Sequence, residues 1–127
     1  MTCLLDTHFL IWITRAAKRL RHFKWLSQYE PWGVSAISLL EIQFLAEIGR
    51  LDIRNPQFTD TLLADPRFVV DDVSFVAVCR KALTLSWTRD PFDRLICAHS
   101  LMRRVPLCSL DTAIHENHKL LVPDLRM

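Results

Sequence analysis

Glycine is nearly absent from this sequence: only Gly33 and Gly49 occur in 127 residues. The phosphate-cradling loop G-x-x-x-x-G-K and the dinucleotide fingerprint G-x-G-x-x-G therefore cannot be built, which excludes nucleotide handling through a Gly-rich turn. Cysteine is present without a framework. Cys3, Cys79, Cys97 and Cys108 are scattered and form no C-x-x-C pair, so they read as reduced thiols rather than as disulfides or a zinc site. No uncharged apolar run approaches the roughly 20 residues that span a bilayer. The opening MTCLLDTH lacks the positive start and long apolar stretch of a signal peptide. The expectation is a cytoplasmic protein with no membrane association. An excess of charge of one sign is also missing: 16 Lys and Arg against 14 Asp and Glu leave +2, too little to argue for a nucleic-acid partner alone.

What is present is a globular composition, 50% hydrophobic and 24% charged. A chain of this size buries enough surface to fold without staples, and no linker or repeat divides it, so residues 1–127 are expected to form a single domain. Apolar runs predict strands at 2–5, 32–37, within 67–73, at 107–110 and, as a fifth, at 120–122. Helical spacing predicts helices over 7–13, 38–48, 58–64, 74–86 and 91–104, with a short one after Asp111. Residues 16–29 carry Leu20, Phe23, Trp25 and Leu26 against several cations and no acid before Glu30, which predicts a basic amphipathic helix. Gly49 suits the position just past the helix over 38–48. Strands alternating with helices, without hairpin turns, imply a parallel sheet of four to five strands covered on both faces, an α/β fold. Ligands of such sheets gather outside the carboxyl ends of the strands.

Four acids fall at that edge. Asp6 follows Cys3-Leu4-Leu5, Glu41 lies one turn into the helix after the second strand, Asp93 one turn after Asp90-Pro91, and Asp111 follows Cys108-Ser109-Leu110. Each alone has a helix-start explanation. Asp6, Asp90 and Asp111 suit N-caps, and Ser38-Leu39-Leu40-Glu41 matches a capping box. Capping does not explain why Asp and Glu recur at one edge where Ser, Thr or Asn would serve equally. Converging carboxylates repel by several kcal/mol in total at short range (about 3 kcal/mol per pair near 5 Å). A hard dication, Mg²⁺ or Mn²⁺, is the neutralising partner that suits oxygen-only donors.

The segments LLDTHFLIW, SAISLLEI, RDPFDRLICAHS and CSLDTAI occur in this order over nearly the whole chain. In order and spacing they resemble PIN-domain nucleases, in particular VapC-like toxins of bacterial toxin–antitoxin pairs. The resemblance implies a three-layer α/β/α sandwich, with Asp6, Glu41, Asp93 and Asp111 as catalytic metal ligands for Mg²⁺ or Mn²⁺. It further implies endonucleolytic hydrolysis of RNA by metal-activated water, a cognate antitoxin and a homodimer. Thr7, Ser109 and Thr112 flank the acids as candidate supporting hydroxyls, and Asp90 as a cap or outer group. The sequence departs from common members at Cys97 and His99, which stand where small or amide residues are frequent.

Arg89 and Arg94 flank Asp93 and are candidate phosphate contacts. The run from Arg15 through Lys18 and Arg19 to Lys24 is a second candidate track for RNA, against the plainer reading of a solvated face. His115-Glu116-Asn117-His118 misses the zincin spacing by one residue, because Lys119 stands where the second His belongs. A catalytic serine lacks its G-x-S-x-G turn. The alternative to a ribonuclease is a non-catalytic RNA-binding or protein-interaction module that keeps the same scaffold and uses its acids as caps.

Overall fold

A computed structural model describes residues 1–126. Four short strands, β1 (Leu4–Leu5), β2 (Trp32–Val34), β3 (Phe68–Val70) and β4 (Leu107–Cys108), form one sheet in the order β3-β2-β1-β4. Every pairing is parallel, with Leu4 opposite both Gly33 and Leu107, and Gly33 opposite Val69. Six α-helices connect and cover them: α1 (Thr7–Thr14), α2 (Ala36–Glu47), α3 (Gln57–Ala64), α4 (Phe75–Ala82), α5 (Pro91–Arg103) and α6 (Thr112–Asn117).

The alternation of strand side chains builds the layers. Leu5, Val34 and Cys108 point to one face and pack with Phe9, Leu10 and Ile13 of α1, Ile42 of α2 and Leu62 of α3. Their neighbours Leu4 and Leu107 point to the other face, against Ile96 and Cys97 of α5 and Ile114 of α6. Val78 and Ala82 of α4 close over Ala98 on the outside of α5. The result is the three-layer α/β/α sandwich, with an all-parallel centre.

Both glycines have structural reasons. Gly49 lies past the end of α2 at φ +79°, a conformation side chains disfavour. Gly33 sits where β1 and β2 close together, and a Cβ there would lie 2.8 Å from the Cys3 carbonyl oxygen and 2.3 Å from the Met1 sulfur.

Several expectations are corrected. Residues 16–29 form two 3-10 helices, Lys18–His22 and Lys24–Tyr29, rather than one amphipathic α-helix. Ala16 at φ 49° and an extended Ala17 break the path, and Phe23 interrupts it again at φ −125°, ψ 53°. With no acid in the run, its cations have no i,i+4 partner to support a regular helix. The strand expected over 32–37 ends at Val34, because α2 begins at Ala36. Ser38 is therefore inside that helix, its amide donating to the Ser35 carbonyl at 2.9 Å, and no capping box forms with Glu41. The expected fifth strand is a single bridge, Leu107 with Leu121. Among the described residues no helix is long and apolar enough to cross a membrane.

Candidate active site

The acids assemble where the strands end. Asp6 follows β1 directly, and its amide donates to the Cys108 carbonyl at 3.0 Å, locking the ends of β1 and β4 together. Its carboxylate caps α1 by accepting from the Phe9 amide at 2.9 Å. Asp111 caps α6 in the same way, through the Ile114 amide at 2.9 Å. Asp90 caps α5, accepting from the amides of Phe92 and Asp93 at 2.8 and 3.2 Å. The capping reading is thus correct for these three, whereas Glu41 and Asp93 cap nothing and project from within α2 and α5.

Caps or not, these carboxylates act on one another. Burial is the main force raising the Asp6 carboxyl, with Asp111 adding to it, while the Phe9 amide, the Ser109 hydroxyl and His8 pull the other way. Glu41 is also raised, first by burial and then by Asp90 and Asp6, against a hydrogen bond from Thr7 and the charge of His8. Asp93 is pushed up to about 7 by burial and by the charges of Asp90, Asp111, Glu41 and Asp6. His8 offsets this only in part, since all three carboxyls stay raised, and repulsion of this kind is what a bound dication relieves.

The supporting hydroxyls fall into two groups. Thr7, buried on the first turn of α1, donates to the Glu41 carboxylate and lies 3.1 Å from the Ser38 hydroxyl. Ser109, buried, accepts from the Asp111 amide at 3.1 Å, and its hydroxyl helps hold the Asp6 carboxyl down. Thr112 is exposed at the start of α6 and engages neither. His115 belongs to no zinc motif. Its Nε2 contacts the Ser109 carbonyl at 2.5 Å and so steadies the β4–α6 turn that carries Asp111.

Among the described residues, no three His, Cys, Asp or Glu side chains stand close enough to hold one ion in the present arrangement. The donor set nonetheless fits Mg²⁺ or Mn²⁺ in kind, being all carboxylate oxygen.

The candidate RNA contacts separate in the same way. Arg89 donates to the Ser86 carbonyl at 2.9 Å and Arg94 to the Leu85 carbonyl at 2.8 Å, fixing the loop before α5. Arg15 donates to the Asp52 carbonyl at 3.1 Å. Lys18 and Arg19 lie exposed on the first 3-10 helix.

A second polar cluster has no signature in the sequence. Buried His99 of α5 bridges the Ser35 hydroxyl at 2.8 Å and Asp71 at 2.7 Å, and Arg103 reaches Asp71 at 2.8 Å and Asp72 at 2.9 Å. His99 thus ties the segment after β3 to the residue that opens α2, which accounts for its presence where the resemblance leads one to expect a small or amide residue. It also forms part of the wall of a cavity of about 270 Å³, lined mostly by apolar residues including Ile37, Leu40, Phe75 and Leu95. None of the acids at the strand ends lines that cavity, and its polar groups are already paired to each other. The candidate site is therefore the acidic edge.

A sequence model described as the PIN domain matches residues 3–120. No curated protein sequence matches the chain. Among solved structures, a chain from a toxin-antitoxin complex from Klebsiella pneumoniae superposes with a TM-score of 0.68 at 17% identity, covering 98% of this chain and 99% of that one. At that identity the likeness is one of fold.

Proposed function

Because the chain belongs to the PIN-domain family, whose pattern spans residues 3–120, we propose that it is a metal-dependent endoribonuclease and the toxin of a toxin–antitoxin pair. The observation that carries this reading is the gathering of Asp6, Glu41, Asp93 and Asp111 at the carboxyl ends of parallel strands, where burial and like charge raise the carboxyls of Asp6, Glu41 and Asp93. These four would hold Mg²⁺ or Mn²⁺. Such an ion, when bound, makes water acidic enough to act as a nucleophile near neutral pH and offsets the charge of the phosphate.

The chain's own groups do the rest. Asp6 is the fixed point, held by the Phe9 amide and Ser109, and Glu41 is oriented across the α1–α2 gap by Thr7. Asp90 and Asp111 are exposed at this edge, as is His8 beside the buried Asp6, so the edge is open to RNA. No side chain serves as nucleophile. Burial pushes the Cys97 thiol, beside these acids, up to about 12 and keeps it protonated.

The structural neighbour comes from a toxin-antitoxin complex, which supports an antitoxin as partner of this chain. A homodimer, a single domain over the whole chain and a cytoplasmic location, where RNA and reduced thiols coexist, complete the reading.

The test is direct. Purified chain free of antitoxin should cleave RNA in Mg²⁺ or Mn²⁺ and stop when chelator is added, and Asp6→Asn should abolish cleavage while remaining folded. A folded Asp6→Asn protein that cuts at the parental rate overturns the assignment. RNA binding without cleavage by the parent favours the non-catalytic module, in which Asp6, Asp90 and Asp111 serve only as the caps they form.

A further inference from the structure

Of the cations placed near the site by sequence, three are committed to carbonyls of the chain itself: Arg15 to Asp52, Arg89 to Ser86 and Arg94 to Leu85. Arg19 is held differently. Its guanidinium carbon lies 4.3 Å from the centroid of the Trp12 ring. Trp12 is itself fixed, meeting Phe9 edge-on at 5.0 Å, and His8, one turn earlier on α1, lies 6.2 Å from it at an interplanar angle of 48°. His8 and Arg19 are exposed, and Trp12 is partly so. Arg19 stacked on Trp12, with the tilted His8 ring at its rim, therefore forms an exposed shelf. It begins at His8, two positions after Asp6 and next to Thr7, the residue that holds Glu41.

We propose that the His8–Trp12–Arg19 shelf stacks an unpaired nucleobase of single-stranded RNA, one or two nucleotides from the phosphate that faces the carboxylates. This rests on the nuclease reading and adds to it a position on this chain for one base beside the cleaved phosphate. The shelf offers what an unpaired base requires. A guanidinium already seated on an indole loses little freedom on binding, and its outer face is planar, delocalised and weakly hydrated. Helix geometry places Trp12 about 9 Å of rise beyond Asp6, since α1 climbs roughly 1.5 Å per residue. That spacing separates the stacking position from the acids without leaving the reach of an adjacent nucleotide. Bases inside a duplex have both faces covered by their neighbours, so only loops, bulges and free strands supply one to the shelf. A surface of loose lysines would attract RNA by charge alone and would not make this distinction.

The experiment uses the full chain in chelator, where RNA is not cut, with short single-stranded RNAs carrying 2-aminopurine at successive positions and the same sequences annealed as duplexes. The parent should quench the probe at one position of the single strand and not in the duplex. Arg19→Ala should weaken single-strand binding about tenfold, the usual size of one lost stacking contact. Arg19→Lys keeps the charge and so the salt dependence, but should lose the position-specific quenching. Equal affinity and equal quenching in parent, Arg19→Ala and Arg19→Lys overturn the shelf, as does uniform quenching along the strand by the parent. The same RNAs are then given Mg²⁺ or Mn²⁺. Position-specific stacking without cleavage supports the shelf and removes the nuclease reading, whereas cleavage without position-specific stacking removes the shelf alone.

Discussion

The hydroxyl of Thr7, on the first turn of α1, donates to the carboxylate of Glu41 on α2. It joins two residues 34 positions apart in sequence and holds the one glutamate of the candidate site within reach of the charges of Asp90 and Asp6. Thr7 is buried, so water does not replace its hydroxyl when it is lost. A hydrogen bond to a charged group contributes about 1.5–3 kcal/mol. Thr7→Val, nearly the same shape, should therefore lower RNA cleavage by about tenfold or more, while Thr7→Ser stays within about threefold of the parent. The measurement is the cleavage rate at saturating Mg²⁺ beside a thermal melt. Equal rates for Thr7→Val and the parent would show that Glu41 needs no such support.

The acidic edge makes the metal-free protein sensitive to pH. Asp93 is raised to about 7, chiefly by burial and then by its acidic neighbours, whereas in the unfolded chain it titrates near its ordinary value. Between about pH 4 and 7 the folded state therefore binds more protons than the unfolded state, and stability falls as pH rises through that window. A dication opposes this loss where the carboxylates are ionised, so Mg²⁺ or Mn²⁺ should raise the melting temperature more at pH 8 than at pH 5. Asp93→Asn should melt higher than the parent at pH 8 without metal, respond less to metal, and cleave no RNA. A metal-induced shift of equal size at both pH values would argue against binding at this edge.

How much of this was legible beforehand differs between backbone and side chains. Asp90-Pro91 announces the start of α5 because a capping acid and a fixed φ are both local properties, and the helix begins there. Asp6 and Asp111 announce helix starts equally well. Ser38 misleads, since its hydroxyl turns to Thr7 and the helix opens at Ala36, behind Ser35, whose own hydroxyl goes to His99. The same pattern of serine followed by glutamate three residues later suits a capping box or two side chains facing a neighbouring helix, and only tertiary contacts decide between them. The bridge from Ser35 through His99 to Asp71 spans separations of 64 and 28 residues. No local pattern encodes it.

The two glycines should respond to alanine for unlike reasons. Gly33 has ordinary strand geometry but no room: a Cβ would press on the Cys3 carbonyl at 2.8 Å, and backbone cannot swing aside as the Met1 side chain can. Forcing β1 and β2 apart should cost about 1–3 kcal/mol, the usual range for overpacking. Gly49 has room and the wrong φ, +79°, so Gly49→Ala should cost about 1–2 kcal/mol through backbone strain alone. Denaturant melts separate them when combined with activity. Gly33→Ala also disturbs the strand beside Asp6 and should slow cleavage, while Gly49→Ala leaves the rate per folded molecule unchanged. A Gly33→Ala protein as stable as the parent would mean that the sheet relaxes freely at this crossing.

Asp71 gives a stability effect of the opposite pH sign to Asp93. Burial alone would raise its carboxyl, but the hydrogen bonds from Arg103 and His99 outweigh burial and hold it below its ordinary value. A depressed carboxyl stabilises the fold at pH values above its unfolded value, near 4, and this contribution disappears as pH falls through the lower folded value. Acid unfolding should therefore begin in the region below about pH 4 where Asp71 takes up its proton and releases Arg103 and His99. Asp71→Ala removes the acceptor from a His99 ring that is 2% exposed, leaving a buried nitrogen without a partner at a cost of about 1–3 kcal/mol. The expected result is a lower melting temperature at pH 7 and a flatter decline of stability between pH 5 and 2 than in the parent. Because Asp71 lies among neither the acids of the site nor the His8–Trp12–Arg19 shelf, RNA cleavage per folded molecule should stay close to the parental rate. Cleavage lost in Asp71→Ala while the melt is unchanged would instead tie the His99 cluster to the chemistry, through the α2 and α5 helices it joins and the Glu41 and Asp93 they carry.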